Sequence, residues 1–166
     1  MITLGDIPRK HARLDPDKEC LVCDEVRLTW KELNRRVNRL ANALTGLGVA
    51  KGTKTAVLAL NCHRYVELYY ATSKLGAVCV PLNFRLSPDE LAYVINHSDA
   101  VFLVGEGQEE VDKGLSVQER CPFLKKIIWD DPKGMRNYRE PLLISLKEVM
   151  EKGRELDRKD PALFER

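Results

Sequence analysis

The chain has 166 residues, 44% of them hydrophobic and 31% charged, a composition that excludes a disordered segment and suits a domain with its own core. Its 27 Lys and Arg against 25 Asp and Glu leave a net charge of +2, which gives no basic surface for nucleic acid. Basic residues alternate with acids, as in KEVMEKGRELDRKD, the pattern of solvated helix faces.

The first elements are short. Residues 3–14 (TLGDIPRKHARL) read as a helix with Leu4, Ile7, Ala12 and Leu14 as its apolar positions and His11 on an exposed side. CLVCDEVRLTW reads as two strands around a turn at Asp24-Glu25, a hairpin. Cys20 and Cys23 make a C-x-x-C here. No second Cys/His pair stands at zinc spacing, and strand positions three apart point to opposite faces. All five cysteines, including Cys62, Cys79 and Cys121, are therefore expected to be reduced and buried in the core.

The clearest helix follows. Thr29 and Glu32 form a capping box, and Leu33, Val37, Leu40, Ala41, Leu44 and Leu47 make one apolar stripe. Gly48 stands where a left-handed C-terminal cap is wanted. KTAVLAL (54–60) is a continuous apolar run, as expected for a strand covered on both faces. A helix over 64–75 carries Tyr65, Val66, Leu68, Tyr69, Tyr70 and Ala71 around more than half its circumference, so it should pack on two sides and stop at Gly76. AVCVP is the next strand, and Pro81 is expected to end it, because proline cannot donate to a ladder. Ser87-Pro88-Asp89-Glu90 is a second capping box opening a helix to about residue 96, and AVFLV (100–104) is another strand. Beyond it the pattern predicts a helix over QEEVDKGLSVQER despite Gly114, a strand at LKKIIWD and a polar turn at DDPKGMRNYREP. A final helix starts from Ser145, whose partner in a third capping box is Glu148, and no strand is expected after it.

Alternating strands and helices with continuous apolar strands predict an α/β fold: an open, mostly parallel sheet with helices on both faces. There is no G-x-G-x-x-G, no Walker A sequence and no G-x-S-x-G elbow. His11, His63 and His97 lie in unrelated contexts without metal-ligand spacing. In open α/β sheets ligands sit beyond the carboxyl ends of the strands. That rule singles out the turns Asn61-Cys62-His63 and Asn83-Phe84-Arg85 to face a ligand or another lobe. The simpler account has Asn61 capping a helix and Asn83 closing a turn. No apolar run approaches the ~20 residues that span a bilayer, and the start has no signal-peptide core. The expectation is a cytoplasmic protein without a transmembrane segment or a nucleic-acid partner.

At Thr29–Leu33, Lys51-Gly52, Asn61, Gly76-Ala77-Val78, Pro81-Leu82-Asn83 and Glu90-Leu91 the chain closely resembles the N-terminal lobe of AMP-forming acyl-CoA synthetases, of the adenylate-forming superfamily. The resemblance is strong over residues 1–105. A looser one, over LKKIIWDDPKGMRNYREPLLISLKEVMEKGREL, is to a fatty-acyl branch that includes long-chain enzymes. The resemblance implies an incomplete N-terminal subdomain of the adenylate-forming fold. Residues 1–166 would be an N-terminal fragment of the large domain, with the phosphate loop and the C-terminal domain absent. The full-length enzyme would use ATP, Mg and CoA to activate a carboxylic (fatty) acid, long-chain by the looser match, through acyl-AMP to a thioester. The fragment itself would bind none of these and be inactive, and the assembly the resemblance allows is a homodimer. The family's phosphate loop, ribose-binding acid, magnesium-binding glutamate and C-terminal lysine have no counterpart in this sequence. No catalytic, cofactor-binding or metal residue is therefore assigned. The alternative is a stand-alone α/β binding or interaction module without catalysis.

Overall fold

The computed structural model describes residues 3–160 and 163–164. They form two compact units, one of residues 1–51, 61–77 and 149–166, the other of residues 52–60 and 78–148. Among the described residues no helix is long and apolar enough to cross a membrane.

The first unit contains helix α1 (Asp6–Leu14), strands β1 (Glu19–Cys23) and β2 (Val26–Thr29), helix α2 (Trp30–Gly46) and helix α3 (His63–Lys74). It also holds all but the first turn of the last helix, α6 (Leu146–Lys159). The hairpin forms as expected: Cys23 faces Val26 across the Asp24-Glu25 turn, and Asp24 takes the positive φ of 50° that the tight reversal needs. α1 departs from its reading. Leu4 and Leu14 are exposed, and the buried residue of this helix is Pro8. His11 is half-buried rather than exposed, stacked on the Trp30 ring at 4.6 Å.

α2 begins with both halves of the predicted capping box: the Thr29 hydroxyl accepts from the Glu32 N–H, and Glu32 Oε2 accepts from the Thr29 N–H at 2.9 Å. Those hydrogen bonds, the backbone N–H first and the hydroxyl second, hold the Glu32 carboxyl below its ordinary pKa. Leu33, Val37, Leu40, Ala41 and Leu44 are buried as one stripe. The chain leaves the helix through Gly48 at φ 92°, which an L side chain rarely adopts.

The second unit is built on a five-stranded sheet in the order β4-β3-β5-β6-β7, parallel throughout. Its strands are β3 (Lys54–Leu58), β4 (Val78–Leu82), β5 (Phe102–Gly105), β6 (Lys126–Trp129) and β7 (Leu143–Ser145), with α4 (Pro88–Ser98) and α5 (Gln108–Val117) between them. Ala56, Leu58, Leu82, Leu103 and Ile127 from alternate strand positions meet Leu91, Ile95, Val111 and Val117 from the helices in one apolar core. Each such Leu or Ile contributes about 1.5–3 kcal/mol over its exposed state. Intervening positions Val57, Val104 and Ile128 are buried as well, so the strands are covered on both faces as their unbroken apolar runs predict. Gly114 lets α5 lie close on the sheet, because a Cβ there would stand 2.8 Å from Leu103 Cδ2.

Three expectations are corrected. Pro81 does not end its strand: β4 continues to Leu82, with Pro81 in register with Val57. β4 is the outermost strand, which needs ladder bonds on one side alone, so a proline is tolerated there. β7 went unread because three residues are too short to carry an alternation signal. The cysteines are all free, but only Cys121 is buried. Cys20, Cys23, Cys62 and Cys79 lie on a hairpin, a helix start and an edge strand, where one side of the backbone stays open.

Candidate functional site

The carboxyl ends of β3, β4, β5 and β6 bring four loop starts to one edge of the second unit's sheet. Glu106, directly after β5, ties three of the strands. Its carboxylate accepts from the Leu60 N–H beyond β3 at 3.2 Å. Its carbonyl accepts from the N–H groups of Asp130 and Asp131 beyond β6 at 3.2 and 2.8 Å. At β4, Asn83 Oδ1 accepts from the Arg85 N–H at 3.0 Å, an Asx turn that supports the structural account of this asparagine. Arg85 lies 5.2 Å over the Phe84 ring, and Lys113 Nζ donates to the Phe84 carbonyl at 2.7 Å.

The other sequence candidate, Asn61-Cys62-His63, belongs to the first unit. Asn61 is exposed and is not the cap: the N-cap of α3 is Cys62, which makes no side-chain capping bond. One turn further on, Glu67 is fully buried. Its two carboxylate oxygens receive Arg36 Nε of α2 at 2.6 Å and Arg64 Nη1 at 3.1 Å. The triad locks the first turns of α3 onto α2. His97 is exposed and stacks on Tyr93 at 5.5 Å, well away in sequence from His11 and His63.

Glu106 and Glu67 are the residues that sequence reading missed. Glu106 could have been found by the same rule that chose 61–63 and 83–85, since it follows a strand directly. Glu67 is the lone acid in a mostly apolar helix with an arginine three residues before it, which is a signal for a buried pair.

Residues 8–164 match the model of the family described as AMP-binding enzyme. The chain belongs to the AMP-binding enzyme family. It is 35% identical over 106 residues to the long-chain-fatty-acid–CoA ligase FadD13 of Mycobacterium tuberculosis, covering 63% of this chain and 21% of that protein. It is 42% identical over 101 residues to a feruloyl-CoA synthase of an Amycolatopsis species, with 61% and 21% covered. The fold superimposes on coronafacic acid ligase from Pectobacterium brasiliense with a TM-score of 0.81 at 26% identity, over 90% of this chain and 28–29% of the neighbouring ligase structures. The chain thus spans about a fifth of the curated relatives it matches.

An AMP-binding enzyme must cradle phosphates with oriented N–H donors or cations, and its metal with carboxylates. Among the described residues, four helix starts are already closed by side chains. The hydroxyl caps of α2, α4 and α6 close on their own glutamates, Glu32, Glu90 and Glu148. The Gly107 N–H at the start of α5 closes on Glu110 at 2.9 Å. No group of three His, Cys, Asp or Glu among the described residues could hold a metal ion. No chemical step is therefore assigned to them.

Proposed function

We propose that these 166 residues are the N-terminal part of the large domain of an AMP-forming acyl-CoA ligase. The phosphate loop and the C-terminal domain would lie outside them. The observation that carries this reading is a family match over residues 8–164 in a chain that spans 21% of its ligase relatives. In the intact enzyme a carboxylate oxygen would attack the α-phosphorus of ATP and expel pyrophosphate. The CoA thiol would then displace AMP from the acyl carbon. This chain would supply the parallel sheet whose carboxyl edge, with Glu106 joining three strand exits, faces the reacting groups.

A long-chain fatty acid is the proposed substrate, supported by the similarity to the M. tuberculosis ligase. The feruloyl-CoA synthase relative makes an aromatic acid the competing choice. Acyl-dependent exchange of pyrophosphate into ATP tests both parts. The 166-residue chain is expected to show none, and detectable exchange would refute its proposed incompleteness. The protein extended through its downstream coding sequence should exchange with palmitate and oleate well above ferulate. A reversed preference would reject the long-chain assignment, and no exchange with any acid would reject the ligase reading.

A further inference from the structure

We draw no further inference here: the strongest candidate, the exposed face of α4 where Tyr93 stacks on His97 at 5.5 Å and Asp89 pairs with Arg120, is an unpartnered surface patch, and nothing in the structure shows what covers it.

Discussion

Glu67→Ala isolates the strongest electrostatic feature of the first unit. The carboxylate is 1% exposed, while the side chains of Arg36 and Arg64 are 28% and 30% exposed. Removing one partner of a buried ion pair costs about 3–5 kcal/mol, because a charge is left without compensation. Glu67→Ala takes the carboxylate away from the two arginines, whose partly exposed heads can turn into water, so the cost should fall to about 2–3 kcal/mol. Arg36→Ala/Arg64→Ala orphans the carboxylate, which has no route to water, and should reach about 4–5 kcal/mol. Either single arginine variant leaves the carboxylate one partner and should cost less than the pair. These are large fractions of a total stability of about 5–15 kcal/mol. Urea unfolding resolves them: with a slope of about 2 kcal/mol/M, Glu67→Ala should lower the midpoint by about 1 M and the double arginine variant by about 2 M. A loss below about 0.5 kcal/mol for Glu67→Ala would refute the reasoning, as would a double arginine variant milder than Glu67→Ala.

Gly153→Ala sets helix propensity against packing. Alanine would favour α6 by about 1 kcal/mol, but the new Cβ would stand 2.5 Å from the Arg39 carbonyl oxygen and 2.7 Å from the Ala43 Cβ. Backbone cannot yield cheaply, so net destabilisation of about 1–3 kcal/mol is expected in thermal unfolding, and a stabilised variant would contradict it. Glu32 and Glu90 are held below their ordinary carboxyl value of 4.5 by the backbone N–H and then the hydroxyl of Thr29 and Ser87. Their folded-state pKa values are depressed, so their contribution is full above 4.5 and drains away as pH falls further. The melting temperature should therefore drop more steeply between pH 5 and pH 3 (~2 units of pH across the window) in the natural chain than in Glu32→Gln/Glu90→Gln, and parallel curves would exclude this origin. The buried Cys121 thiol is pushed up by desolvation, so it should be the last of the five to react with a thiol reagent in the folded protein.

The local signals survived the comparison with the structure, and for a common reason. All three Ser/Thr-to-Glu caps close as read, because four consecutive residues contain both partners. The hairpin, the Gly48 stop and the buried β3 likewise depend on neighbours in the chain. Where the reading failed, the missing information was a partner distant in sequence. Pro81 was read as a terminator, and only its place on an edge strand makes it harmless. Leu143–Ser145 becomes a strand because β6 lies beside it. Asn61 looked like a cap, yet the N-cap of α3 is the next residue, Cys62.

The candidate site divides along the same line. That loops beyond the strands' carboxyl ends would be the place to look followed from the α/β pattern. That Glu106 joins three of those ends did not, since its partners Leu60, Asp130 and Asp131 lie 24 to 46 residues away in the chain. By itself the sequence indicated the class of fold, which rests on periodicity, the capped starts of α2, α4 and α6, which rest on contacts within a few residues, and a resemblance to the family, which rests on motif residues. The tertiary structure alone decided which strand is the edge and which acid is buried between two arginines. A hydrogen bond or a buried charge depends on distance in space, and chain separation carries almost no information about it.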